Sequence, residues 1–186
     1  MAKLVIFNFT TLNGYFKGPG NDTRWHKHGE EEGRYAAEAM NVGPVILLFG
    51  RITYEMMAGY WPTPMALESA PDVAKGMNST QKIVFSRTLQ KAGWQNTRLV
   101  KTDVVDEIKK LKKGNTDMTV LGSGTLVTQL ADAGLIDEYQ FMIDPVALGD
   151  GTPTFKGLRM PLNLTHTKTH TFKSGVVLLC YAPEKK

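Results

Sequence analysis

An α/β domain with a mixed sheet is the fold class this sequence predicts. Two observations carry the prediction. From Lys3 to Val146, short apolar runs of strand length alternate with amphipathic runs of helical spacing, the pattern of successive βα units. The carboxyl-terminal part changes character: Leu162 to Phe172 and Val176 to Ala182 are β-rich runs flanking Lys173-Ser174-Gly175, which reads as an antiparallel hairpin.

Each element follows from local chemistry. Lys3 to Phe9 reads as a strand, and the polar, glycine-rich stretch Thr11 to Gly29 is long enough to be a functional flap. Glu30 to Met40 has helical spacing, with acids in the first turn where the helix dipole favours them. Val45 to Phe49 is a buried strand, and Arg51 to Gly59 is helical until Trp61-Pro62-Thr63-Pro64 ends it, since proline cannot continue the backbone bonding. A short helix is expected over Ala70 to Met77, then strands over Gln81 to Phe85 and near Arg98 to Lys101. Thr102 or Asp103 can cap the helix that runs to Lys112. Met118 to Leu121 is a strand, Thr125 to Ala133 a helix and Asp137 to Val146 a long strand, broken at Leu148-Gly149-Asp150-Gly151-Thr152-Pro153.

Three strand ends carry the chemistry. Gly122-Ser123-Gly124-Thr125-Leu126 joins a strand to a helix, and a glycine-rich turn there leaves backbone N–H groups unpaired beside the positive end of the helix dipole, where phosphate binds. Close packing of helix on strand calls for glycine too. Gly50-Arg51-Ile52-Thr53-Tyr54-Glu55 follows a second apolar strand, and Ser86-Arg87-Thr88-Leu89 follows a third. Ligands of open α/β sheets collect at the carboxyl ends of strands, so the three together predict a dinucleotide site. The plainer readings are a surface ion pair of Arg51 with Glu55, one helical turn on, and a solvated loop position for Arg87.

Composition narrows the classes. At 186 residues the chain fits one domain over 1–186, and 42% apolar with 22% charged residues is ordinary for a globular protein. The single cysteine, Cys180, lies in an apolar run and reads as a core thiol; with no leader pattern and no membrane-length apolar run, a cytoplasmic location is expected. The net charge of +4 permits an anionic ligand. Lys109, Lys110, Lys112 and Lys113 form a solvated helix face without interleaved aromatics, which disfavours nucleic acid. His26 with His28, and His166 with His170, have strand spacing, but no cysteine ligand or helical His pair supports a metal site.

The order of these motifs, from Asn13-Gly14 through Gly50-Arg51, Ser86-Arg87 and Gly122-Ser123-Gly124 to Pro145-Val146-Ala147-Leu148-Gly149, resembles the dihydrofolate reductase fold. Within it, the chain is similar to the reductase domain of the bifunctional riboflavin-biosynthesis deaminase-reductase and its free-standing relatives. The resemblance implies a three-layer domain with a mostly parallel central sheet, an antiparallel carboxyl-terminal hairpin and helices on both faces. It implies NADPH as cofactor. Gly50, Arg51 and Thr53 would approach the phosphates, Ser86 and Arg87 would hold the adenosine 2′-phosphate, and Gly122, Ser123, Gly124, Thr125 and Leu126 would take the pyrophosphate by backbone N–H groups.

It also implies a small heterocyclic substrate, either a ribosylaminopyrimidine phosphate or a pterin such as dihydrofolate, and a homodimer. On the substrate side, Asn13 stands where the family usually has Asp, and asparagine cannot deliver a proton at neutral pH. An acid or an ordered water must supply the proton. The nearby acids are Asp22, Glu30, Glu31 and Glu32, of which Glu31, at the start of the first helix, is the candidate, against the plainer reading of these acids as helix caps. Trp25 can stack on a flat ring or pack the flap, and Lys17, Arg24 and Lys27 can meet a substrate phosphate. A non-catalytic NADPH- or ligand-binding module on the same fold is the alternative that Asn13 favours.

Overall fold

The computed structural model describes residues 1–26, 29–40 and 43–184. Along the described residues the elements are β1 (Leu4–Thr11), β2 (Tyr15–Lys17), α1 (Glu30–Met40), β3 (Val45–Gly50), α2 (Arg51–Tyr60), α3 (Pro64–Ser69), α4 (Pro71–Ser79), β4 (Gln81–Phe85), β5 (Thr97–Val100), α5 (Val104–Leu111), β6 (Asp117–Leu121), α6 (Gly124–Asp132), β7 (Glu138–Asp144), β8 (Thr152–Pro153), β9 (Leu164–Thr171) and β10 (Val177–Pro183).

One sheet of eight strands, in the order β5-β4-β3-β6-β1-β7-β10-β9, organises the molecule. Its first six strands are parallel. β10 runs antiparallel to both β7 and β9, which is the hairpin expected from the carboxyl-terminal pattern. This is the α/β architecture of dihydrofolate reductase, with a mixed, mostly parallel sheet.

Strand alternation sorts the core into two faces. Leu4 and Ile6 of β1, Leu48 of β3, Val120 of β6 and Phe141 of β7 pack with Ile108 of α5 and with Leu126 and Leu130 of α6. On the other face, Leu47 and Phe49 pack with Tyr54 of α2 and Met77 of α4, while Phe7, Phe9 and Met142 pack with Tyr35 of α1. Cys180 belongs to this second face and is buried.

Two details depart from the sequence reading. Thr63-Pro64 starts a helix as well as following one: the Thr63 hydroxyl accepts the Ala66 N–H at 3.3 Å, and Pro64 takes the first helical position, where its missing N–H is not needed. The flap is also more ordered than a loop, because β2 within it pairs antiparallel with β8 as a separate ribbon. Asp103, of the two candidate caps, is the one that accepts from α5, at the Asp106 N–H.

Candidate active site

Every βα crossover in the parallel part of the sheet delivers its loop to the same edge, and there a cavity of about 480 Å³ opens. Gly50, Arg51 and Thr53 line it from the end of β3, Ser86 and Arg87 from the end of β4, and Ser123 to Leu126 from the end of β6. The three strand ends converge on one space.

Two of them are stitched together. The Gly50 N–H donates to Ser123 Oγ at 2.7 Å, and the Ser123 hydroxyl donates to Thr53 Oγ1 at 3.1 Å. Glycine is required at both flanks: a Cβ on Gly50 would stand 2.9 Å from Ser123 Oγ, and one on Gly122 would stand 3.1 Å from Thr53 Cγ2, where φ is already +64°. Gly122 therefore sits behind the cavity wall, outside its lining. Ser123 itself is left-handed, with φ 60° and ψ 68°, and this kink aims the start of α6 into the cavity.

The first turn of α6 supplies the donors. The Leu126 N–H is bonded to the Ser123 carbonyl at 2.8 Å, so Leu126 contributes wall. The Gly124 and Thr125 N–H groups have no acceptor among the described residues, which leaves them, with the positive end of the helix, to an anion.

Charge favours the same ligand. Lys17, Arg51, Arg87 and Lys156 line the cavity against Asp103, the one acid in the lining among the described residues. Arg51 also pairs with Glu55 at 3.0 Å, and both side chains are close to half exposed, so that pair holds the guanidinium only loosely. Arg87 is exposed and forms no ion pair among the described residues. Ser86 Oγ accepts the Thr88 and Leu89 N–H groups at 3.2 and 2.9 Å, which fixes the turn that carries Arg87. Burial lowers the Lys17 ammonium pKa below the ordinary lysine value, and its Nζ donates to Asn21.

Asn13 and Glu31 lie outside the cavity lining. The Asn13 amide is a clamp: Nδ2 donates to the Leu148 carbonyl at 2.7 Å, and Oδ1 accepts from the Leu148 N–H at 3.2 Å and the Thr11 hydroxyl at 2.8 Å. It ties the end of β1 to the loop after β7. Glu31 accepts the Lys173 N–H at 2.8 Å and so holds the turn between β9 and β10.

Trp25 donates from Nε1 to the Asp22 carbonyl and meets His26 edge to face, both contacts within the flap. Arg24 turns to Asp22 rather than to the cavity, while Lys27 and His28 lie outside the described residues. His26 is buried with its Nδ1 at 2.6 Å from Asp144 Oδ2 and its ring on Phe9. His166 and His170 sit on the exposed strand β9, against Thr169 and Phe172. Sequence reasoning missed Lys156, Gln129 and Phe16 as lining residues. No local motif marks them: Gln129 lies one turn along α6 from Thr125, while Phe16 lies in the β2–β8 ribbon and Lys156 just after it, and that ribbon pairs only across the chain.

Known proteins place this geometry. The protein YyaP of Bacillus subtilis (strain 168), itself uncharacterized, is 29% identical over 180 residues, covering 96% of this chain and 94% of its own. A putative riboflavin biosynthesis protein from Shewanella sp. PV-4 superposes over the whole of both chains with a TM-score of 0.75 at 23% identity. Dihydrofolate reductase of Enterococcus faecalis, solved with NADP(H), matches with a TM-score of 0.66 at 14% identity over 98% of this chain and 97% of that one. At those identities the two structures speak for the fold. Membership comes from the sequence: the model of the RibD C-terminal domain matches residues 2–178, and the chain belongs to that family.

Proposed function

We propose that this chain is an NADPH-dependent reductase of a small nitrogen heterocycle, with a ribosylaminopyrimidine phosphate of riboflavin synthesis or a pterin as substrate. One observation carries the reading: a single cavity gathers three glycine, serine and arginine strand ends around two open backbone donors and an excess of cations. The residues fit the group. Gly124 and Thr125 would hold the pyrophosphate by N–H groups, with Ser123, Thr53, Gly50 and Gly122 shaping that turn. Arg87, carried on the turn that Ser86 fixes, would take the 2′-phosphate, and Arg51 would leave Glu55 for a phosphate oxygen. NADPH, when bound, supplies the hydride.

The chain's own part is to bind, orient and exclude water. Lys17 and Lys156 line the cavity at the flap side and suit a phosphorylated substrate. Asn13 acts as a positioning residue, because its amide holds Leu148 and has no acidic proton to give. Glu31 keeps the β9–β10 turn in place and in this geometry makes no contact with the cavity. A single domain, a cytoplasmic location and pairing into a homodimer complete the reading; among the described residues no helix is long and apolar enough to cross a membrane.

The test is loss of the nicotinamide absorbance band with NADPH and a panel of ribosylaminopyrimidine and pterin substrates. Turnover on one of them supports the reductase. Asn13 favours a second reading, a non-catalytic NADPH-binding module, and tight NADPH binding without turnover across the panel would decide for it.

A further inference from the structure

Asn8 lies within β1 and is 2% exposed, yet neither Oδ1 nor Nδ2 of its side chain meets a hydrogen-bond partner among the described residues. Buried amides are almost always bonded, so an amide open at both ends points to a group that comes from outside the chain. Its place in the sheet says which group.

Leu4 and Ile6 of the same strand pack under α6, and strand alternation puts Asn8 on that face. Phe7 pairs with Leu121 of β6, so Asn8 lies beside Gly122, where the turn into α6 begins. Along the carboxyl edge the strands succeed one another as β4, β3, β6 and β1. They bring in that order Ser86-Arg87, Gly50-Arg51, the open N–H groups of Gly124 and Thr125, and then, inside β1 at the level where β6 ends, Asn8. With about 4.8 Å between neighbouring strands, this row spans roughly 14 Å, the scale of a dinucleotide laid across the edge. A dinucleotide with its 2′-phosphate at β4 and its pyrophosphate at β6 brings its far end to β1.

We propose that the Asn8 side chain recognises the nicotinamide carboxamide of the bound dinucleotide; the inference rests on the NADPH reading above. A carboxamide presents N–H and C=O side by side, so one reciprocal pair satisfies Nδ2 and Oδ1 of Asn8 together. A phosphate oxygen, acceptor only, would leave Oδ1 open. Asn8 lies outside the cavity lining, so the wall must open to reach it; Phe16 of β2 is part of that wall, packed beside α6, where a Cβ on Gly124 would lie 3.0 Å from its ring. This wall belongs to the β2–β8 ribbon and not to the main sheet, and the proposal requires it to move aside on binding.

Calorimetric titration of the full chain and of Asn8→Leu with NADPH, and with 2′-phospho-ADP-ribose, which lacks only the nicotinamide, separates the outcomes. The proposal predicts that Asn8→Leu loses about tenfold or more in NADPH affinity, as two lost hydrogen bonds imply, with the fragment bound as before. Unchanged NADPH affinity in the variant, or an equal loss for both ligands, overturns the Asn8 assignment and leaves the NADPH reading standing. Failure of the unmodified chain to bind either ligand overturns both. Should Asn8→Leu not fold, the side-chain NH₂ resonances of Asn8 in the unmodified chain decide: they shift on saturation with NADPH and not with the fragment, and resonances that stay in place refute the assignment.

Discussion

Lys82 offers a sharp test of the packing account, because it is a charge placed where charge is expensive. It is 1% exposed, and its Nζ donates to the carbonyls of Met77, Asn78 and Thr80 at 2.8, 3.2 and 2.6 Å while lying 4.5 Å from the centre of the Trp94 ring. The ammonium thus caps the carboxyl end of α4, where three carbonyls and the helix dipole favour a cation. Burial nevertheless lowers its pKa from 10.5 to about 8. Below the folded value both states hold the proton and the whole burial cost is present. Between about 8 and 10.5 the unfolded chain binds the proton and the folded chain has released it, so stability rises with pH in that window. Between pH 7 and about 9.5 the gain is about 2 kcal/mol, at about 1.4 kcal/mol per unit.

Buried Tyr139 acts in the opposite direction at higher pH. Burial raises its hydroxyl pKa above 10.0, so the unfolded chain ionises first and stability falls there. The assay is urea unfolding at pH 7 to 9.5 for the protein and for Lys82→Met, which keeps the stem without the charge. The difference in unfolding free energy should shift towards the unmodified protein by about 2 kcal/mol across the window. Parallel curves would refute the claim that Lys82 is charged and costly in the fold at neutral pH.

Two further predictions concern the elements that frame the cavity. Ser123→Ala leaves the Gly50 N–H without its acceptor and releases Thr53, which should lower stability by about 1–3 kcal/mol and weaken NADPH binding in parallel. Urea unfolding and calorimetry read both effects, and an unchanged affinity would detach the stitch from the site. Asp144→Ala removes the carboxylate that bonds the buried His26 Nδ1, at a cost of about 1–3 kcal/mol. Limited proteolysis should then cut within the flap before any other segment; protection equal to that of the unmodified chain would show that the pair does not pin it.

What the sequence made legible was local. The apolar run Val45 to Phe49 and the glycine turn at Gly122 to Gly124 each signal their structure within a few residues, and the topology of parallel βα units then brings their ends together. The β2–β8 ribbon was not legible, because strands of three and two residues carry no alternation and pair far apart in the chain. Thr63-Pro64 reads equally as a stop and as a start, and only the cap bond to Ala66 decides. Lys82 looks like the polar edge of an apolar strand until the carbonyls of α4 close over it. Asn8 gave no sign of its unpaired amide, since which hydrogen-bond partners its side chain meets among the described residues is defined only by the folded sheet.

We propose that the carboxyl edge of the sheet holds a 2′-phosphorylated pyridine dinucleotide. Calorimetric titration with NADPH and NADH, for the protein and for Arg87→Ala, tests it most directly. The unmodified protein should prefer NADPH, and that preference should drop by about tenfold to a hundredfold in Arg87→Ala, the loss expected for a charge-assisted phosphate contact, with NADH affinity unchanged. Equal affinities for the two dinucleotides, or a preference that survives the substitution, would contradict it.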